Sequence, residues 1–232
     1  MDDASNIPRI ATLLADPARA AMLWTLIDGT SRPAGELAFA ANVSAQSASA
    51  HLAKLVAGGL LLSQAQGRHR YFTLASAEAA YLVESLASFG SAPSPRVPRP
   101  APLVKTMPGH FLHARTCYDH LAGEIAVKVL DAMLNQKWLT RSGPEFHTTA
   151  LGREKLAAWG ISPDHTHSTR RAFARSCIDL TQRRPHLAGR LGAALLNYFV
   201  AQGWILRNAR SRVVTITPKG HAAYKRELGV AL

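Results

Sequence analysis

Val43-Ser44-Ala45-Gln46-Ser47-Ala48-Ser49-Ala50-His51-Leu52-Ala53-Lys54-Leu55-Val56-Ala57-Gly58-Gly59 is the stretch that decides the fold. Ser44 is a strong helix N-cap, because its hydroxyl accepts an amide that the first helical turn leaves unpaired. Ala48, Leu52 and Leu55 then recur at helical spacing and define a core face, and Gly58-Gly59 stops the helix. Gln46, Ser47, Ala50 and Lys54 are left pointing outward, with Ser49 at the flank. A helix with short polar groups near its N-terminus on the face away from the core suits a DNA major groove. There Gln pairs bidentately with adenine, Ser reaches bases or phosphates, and a Lys one turn further on meets phosphate. His51 reads as a packing residue at the turn.

Working outward, residues 33–41 form a short helix that precedes this one across the tight turn Asn42-Val43-Ser44. Ile7, Ile10, Leu13 and Leu14 space as an amphipathic helix halted at Asp16-Pro17. Pro17 opens another helix with Met22, Leu23, Leu26 and Ile27 apolar. Downstream, Leu60–Gln66 and His69–Leu74 are strand-like runs around Gly67-Arg68, a β-hairpin, and residues 76–89 read as a closing helix. Helix–helix–helix–turn–helix–hairpin–helix is the order of a winged helix-turn-helix, with Arg68, His69 and Arg70 at the wing tip, where basic residues follow phosphate or enter the minor groove.

These residues resemble the ArsR family of repressors over residues 8–90. Leu13-Leu14-Ala15-Asp16-Pro17-Ala18-Arg19 is similar to that family's opening, and Glu36-Leu37-Ala38 to the first helix of its motif. Val43–Leu55 with Gly59-Leu60-Leu61 is similar to its recognition helix and exit, and Gly67–Leu74 to its wing. The resemblance implies a homodimer formed through the first and last helices, a double-stranded, near-palindromic DNA operator and a repressor. Ala50 stands where the family often has Arg, which implies fewer strong base contacts. The family's metal sites are not carried over. Leu37-Ala38-Phe39-Ala40-Ala41 has no cysteine, and residues 76–89 have no His or Asp.

The chain's formal net charge of +12 points to a polyanionic partner, yet the excess is unevenly spread. Residues 1–90 hold six Lys/Arg against seven Asp/Glu, and residues 106–232 hold eighteen against eight. The basic C-terminal residues, Arg170, Arg171, Arg183, Arg184, Arg190, Arg207, Arg210, Arg212 and Lys219 among them, fit added phosphate contacts, capture of an anionic effector, or a solvated surface. Five prolines between Gly90 and Pro102 mark a linker. The expected organisation is a DNA-binding and dimerisation domain at 1–90, a Pro-rich linker at 91–103 and a sensor domain at 104–232. No apolar run is long enough to span a bilayer and the N-terminus is acidic, so a cytoplasmic protein with no membrane partner is expected.

Residues 104–232 carry an internal duplication, with repeats at about 110–160 and 170–228. Ala114-Arg115-Thr116-Cys117 recurs as Ala174-Arg175-Ser176-Cys177, and His120-Leu121-Ala122-Gly123 as His186-Leu187-Ala188-Gly189. Leu121, Ile125, Val129, Leu130, Met133 and Trp138 match Leu187, Leu191, Leu195, Leu196, Phe199 and Trp204 at a constant offset of 66, and Thr149–Gly152 matches Thr217–Gly220. The second copy has six extra residues between its Cys and His. Each copy reads as a helix, a longer helix, a hairpin after the Trp (itself a core anchor) and a helix capped by Thr149 or Thr217. This predicts a mainly α (α+β) chain whose winged helix-turn-helix is followed by two winged-helix-like repeats.

Arg115, Cys117, His120, Arg175, Cys177 and His186 are the candidate effector-binding residues. Cys117 and His120, three apart, would share a helical face. Two Cys and two His suit a soft metal ion. Two cysteines beside Arg115 and Arg175 suit thiol oxidation, an organic effector could use the same groups, and packing alone accounts for them as well. A Gly-rich phosphate loop, a Ser-His-Asp arrangement and a carboxylate pair are all missing, so an enzyme is not expected. No cofactor is implied beyond a small-molecule effector or a soft metal ion.

Overall fold

The computed structural model describes residues 6–67, 69–89, 107–162 and 171–231, so Arg68, Arg170 and the expected linker at 91–103 lie outside the described residues. The chain divides into two compact units, Met1–Leu86 and Ala87–Leu232.

In the first unit, α1 (Asn6–Leu14) and α2 (Pro17–Thr25) meet at Asp16, whose carboxylate accepts the Arg19 N–H (3.0 Å) while Pro17 occupies the first turn. Buried Arg19 turns back on α1, donating from Nε to Leu13 O (2.7 Å) and from Nη2 to Thr12 O (2.8 Å). The Asp-Pro-x-Arg run is thus a joint: one residue caps the start of α2 and another satisfies the open carbonyls of α1. The two-residue strand β1 (Arg32–Pro33) precedes α3 (Ala34–Ala40) and α4 (Ala45–Ala57). Strands β2 (Leu61–Gln66) and β3 (His69–Leu74) form the wing, and α5 (Ala77–Phe89) closes the unit. The sheet order is β1-β3-β2, with Arg32 opposite Phe72. Sequence patterning places 33–41 in a helix. The structure instead uses Pro33 as an edge-strand residue, where its missing N–H costs no ladder bond. Met22, Leu23, Leu26, Leu37, Leu52, Leu55, Leu61 and Phe72 fill the core.

The second unit begins with the short helix α6 (Gly109–His113) and then runs twice through hairpin, helix, hairpin, helix. The first pass is β4 (Arg115–Cys117), β5 (His120–Ala122), α7 (Glu124–Asn135), β6 (Leu139–Ser142), β7 (Glu145–Thr148) and α8 (Ala150–Ala158). The second is β8 (Arg175–Ile178), β9 (Pro185–Ala188), α9 (Gly189–Ala201), β10 (Ile205–Arg207), β11 (Val214–Ile216) and α10 (Pro218–Leu228).

The segments Arg115–Ala122 and Arg175–Ala188, expected to be helical, are therefore hairpins. Tyr118 takes a left-handed φ of 57° and closes a two-residue turn, which sets Cys117 directly opposite His120. A spacing of three brings two residues together across such a turn as readily as along one helical face.

The hairpins are exchanged between the halves. Ser176 N–H donates to Pro144 O (2.7 Å) and Phe146 N–H to Ala174 O (3.0 Å), so β8 extends the first half's hairpin. At the equivalent positions Thr116 N–H donates to Arg212 O (2.8 Å) and Val214 N–H to Ala114 O (3.1 Å), and β4 lies against the second half's hairpin. Thr149 and Thr217 cap α8 and α10 by accepting from Gly152 and Gly220. These glycines are sterically required. A Cβ would fall 1.9 Å from Trp138 O or 2.0 Å from Trp204 O. Between the halves, Ile125, Leu130, Met133 and Trp138 pack with Leu191, Leu196, Phe199 and Trp204 in one core.

Candidate nucleic-acid interface and Cys/His cluster

The recognition segment keeps its expected division. Ala48, Leu52 and Leu55 are buried, while Ser44, Gln46, Ser49, Ala50 and Lys54 are exposed and Ser47 is half-buried. Two hydroxyls already have partners. Ser44 Oγ accepts the Ser47 N–H (3.2 Å), and Ser49 donates to Ala45 O (2.9 Å), which leaves Gln46 as the longest uncommitted hydrogen-bonding side chain near the helix start. His51 is turned inward, its Nδ1 3.5 Å from Arg19 Nη1 and 3.7 Å from Asp16 Oδ1, so it braces α4 against the α1–α2 joint. On the wing, His69 and Arg70 are exposed on β3, opposite Gln66 and Ala65.

In the second unit, four of the six candidate effector residues converge. One ligand atom each from Cys117, His120, Cys177 and His186 lies within 4.8 Å of every other. Hairpin register does the placing, with Cys117 opposite His120 on β4–β5 and Cys177 opposite His186 on β8–β9. The two imidazoles face each other, Nε2 to Nε2 at 3.1 Å. Cys117, His120 and His186 are buried, Cys177 is half-buried, and both cysteines are thiols.

The two arginines are elsewhere. Arg175 is exposed on β8. Arg115 is fully buried, and its Nη2 donates to both carboxylate oxygens of Asp179 at 3.0 Å. Its charge is matched by that carboxylate, which removes the expected role of activating a thiol.

Sequence reasoning missed Asp119 and Asp179. His120 Nδ1 is 3.4 Å from Asp119 Oδ1, and His186 Nδ1, which has no hydrogen-bond partner, is 3.8 Å from Asp179 Oδ2. Arg171 holds Asp119 (2.6 and 2.8 Å). Besides Arg115, the Asp179 carboxylate accepts the N–H groups of Gly123 (2.7 Å), Thr181 (2.9 Å) and Gln182 (2.9 Å) and the Thr181 hydroxyl (2.8 Å). Burial alone would raise the Asp179 carboxyl. The charge of Arg115 and the amides of Gln182 and Gly123 outweigh it and hold the group well below the usual carboxylate range. Asp119 is displaced the same way: desolvation opposes, and hydrogen bonds with Arg171 and His120 prevail. A signal did exist, because Cys117-x-Asp119 recurs as Cys177-x-Asp179 at the same offset of 60 as the cysteines.

Residues 14–64 match a family model described as a helix-turn-helix domain. Over 227 residues, 98% of this chain and 99% of its relative, the sequence is 39% identical to YdfF of Bacillus subtilis (strain 168), an uncharacterized HTH-type transcriptional regulator. The chain belongs to the HTH-type transcriptional regulators. The likeness to YdfF covers the second unit as well as the head. Among solved structures, HlyU from Vibrio cholerae N16961 is 26% identical, with 38% of this chain and 97% of that one covered at a TM-score of 0.36. A homodimeric winged helix-turn-helix domain from Mycobacterium bovis, described as a possible ArsR-family transcriptional regulator, is also 26% identical, covering 37% and 83% at 0.34. This regulator's own head has the winged helix-turn-helix order of elements from α1 to α5. Among the described residues no helix is long and apolar enough to cross a membrane.

Proposed function

We propose that this regulator is a homodimeric repressor that holds a two-fold operator through Ser44, Gln46, Ser47, Ser49 and Lys54 on α4 and Arg68, His69 and Arg70 on the wing, and releases it when an effector is taken up at the Cys/His cluster. The observation that carries the DNA reading is the division of α4, with a back of Ala48, Leu52 and Leu55 sealed in the core and a front of short polar groups in solvent. Two-fold pairing through the outer helices is supported by their uncovered apolar groups, Ile7 on α1 and Leu86 on α5, which are 68% and 48% exposed. The repressor sign comes from the ArsR resemblance.

The effector acts by population shift: if it binds the operator-incompetent arrangement more tightly, operator affinity falls by the same factor. The DNA reading is tested by anisotropy titration of the DNA upstream of the regulator's own coding sequence against unrelated duplex. Specific binding is expected to exceed non-specific binding by at least about 10³-fold. Gln46→Ala with Ser47→Ala should erase that preference while the circular dichroism spectrum is unchanged. Equal affinity for the two duplexes would overturn the regulator's proposed operator.

A further inference from the structure

We propose that Cys117, His120, Cys177 and His186 form a closed tetrahedral site for one soft divalent metal ion of the zinc class per chain. The inference deepens the effector reading above, by giving the cluster a ligand class, and stands on geometry of its own.

The first argument is distance. Zn–N bonds of about 2.0–2.1 Å and Zn–S bonds of about 2.3 Å require donor–donor edges of about 3.3–3.8 Å in a tetrahedron. The two Nε2 atoms are already 3.1 Å apart, and the longest separation among the four donors is 4.8 Å. No edge exceeds the tetrahedral range by more than about 1 Å, which is within the reach of side-chain rotation.

The second is tautomer. A carboxylate faces the far nitrogen of each imidazole, Asp119 at His120 and Asp179 at His186. Asp119, within hydrogen-bond distance, favours Nδ1–H on His120, and Asp179, 3.8 Å from His186 Nδ1, favours it there once the ring turns toward the carboxylate; with both Nδ1 atoms protonated, both Nε2 lone pairs meet at one shared point. At 3.1 Å a single Nε2–H can bridge the two rings, and a Lewis acid between them replaces that proton and uses both lone pairs. Carboxylates fixed by their own partners, here Arg171 and Arg115, are what orient and strengthen histidine ligands around a metal.

The third is charge. A divalent ion with two thiolates and two neutral imidazoles sums to zero. Asp119 with Arg171 and Asp179 with Arg115 also sum to zero, so the loaded cluster is neutral and fit for burial. The S2N2 donor set selects a soft or borderline ion over magnesium or calcium.

The fourth is symmetry. Each copy of the duplication supplies one Cys-x-Asp and one His, so the ion would tie the β4–β5 hairpin to the β8–β9 hairpin across 60 residues of chain. All four positions are filled by protein, leaving none for a substrate. Such an ion holds structure or signals; it does not catalyse. Cys177, the least buried ligand, is the side from which an ion is reached.

The test uses the full-length chain, stripped with a chelator under reductant and titrated with Co²⁺ and then Zn²⁺. One Co²⁺ per chain should give the intense visible bands of a tetrahedral site and a near-ultraviolet thiolate-to-cobalt charge-transfer band, both lost when Zn²⁺ displaces it. Bound Zn²⁺ should protect two thiols per chain from a thiol reagent. Cys177→Ser, at the half-buried position most tolerant of change, should cut the charge-transfer intensity to about half. Asp119→Asn should weaken binding about 10–100-fold without removing a ligand. A folded wild-type chain with only weak octahedral bands, or an undiminished charge-transfer band in Cys177→Ser, would overturn the site. If the spectrum appears but operator affinity is the same with and without Zn²⁺, the metal site stands and the proposed sensing role falls. If the site is absent and operator binding remains, only the metal inference fails.

Discussion

Replacing Asp179 by Asn changes almost no volume, so its effect should be almost purely electrostatic. The residue is fully buried and receives Arg115 on both oxygens. Oδ1 also accepts two amides and a hydroxyl from Thr181 and Gln182, while Oδ2 accepts the Gly123 amide. An asparagine best keeps its carbonyl at Oδ1, where three of the other donors converge. Its NH2 then faces the Arg115 Nη2 and the Gly123 N–H, donor against donor. What remains is a buried guanidinium whose charge is uncompensated, a situation that costs about 3–5 kcal/mol. For a unit of this size that is a melting shift on the order of 10 °C. Urea unfolding followed by tryptophan fluorescence is a suitable assay. Three of the chain's four tryptophans, Trp138, Trp159 and Trp204, lie in the second unit, and chelator in the buffer keeps metal affinity out of the comparison. The midpoint should fall with little change in m. The double variant Asp179→Asn with Arg115→Met should be more stable than Asp179→Asn alone by about 1–3 kcal/mol, because the stranded cation is gone. A single variant within about 1 kcal/mol of wild type, or a double variant less stable than the single, would refute the view of Asp179 as the electrostatic hub between the halves.

Lys54→Ala should weaken specific and non-specific duplexes alike and reduce the slope of log K against log salt by about 1 per half-site, read from anisotropy titrations over a salt series; a change confined to one base position would instead make Lys54 a base reader. Gly152→Ala should lower second-unit stability by at least about 1–3 kcal/mol, because its Cβ would sit 1.9 Å from backbone and not from a side chain that can yield. An unchanged urea midpoint would show that α8 can shift away from Trp138.

The head was legible because its signals are local. Ser44 as cap, Asp16-Pro17 as stop and start, and Ala48, Leu52 and Leu55 as one face each depend on residues within a turn or two. The second unit was legible as a duplication but not as a shape. Cys117 and His120 meet across a hairpin turn and not along a helix; their spacing fits both, and only the left-handed Tyr118 distinguishes them. Asp179 was hidden for a different reason. The inserted residues shift the offset between the copies from 60 to 66 just after it, so an alignment through the histidines loses the match to Asp119. The ion pair of Arg115 with a partner 64 residues away leaves no periodic trace at all.

The second unit's basic excess fits phosphate contacts, an anionic effector or a solvated surface, but several of its arginines are committed to the fold. Arg115 neutralises Asp179, Arg171 holds Asp119, Arg184 pairs with Asp131 at 2.8 Å, and Arg212 donates to Thr116 O where β4 meets the second half. Two of these four carry the carboxylates behind His120 and His186. Arg115 and Arg171 therefore let acidic groups stand beside the Cys/His cluster without leaving a net charge there. Arg175, Arg207, Arg210 and Lys219 are exposed. The nearly neutral head needs few cations of its own if dimerisation doubles them, since two half-sites combine their binding free energies on one operator.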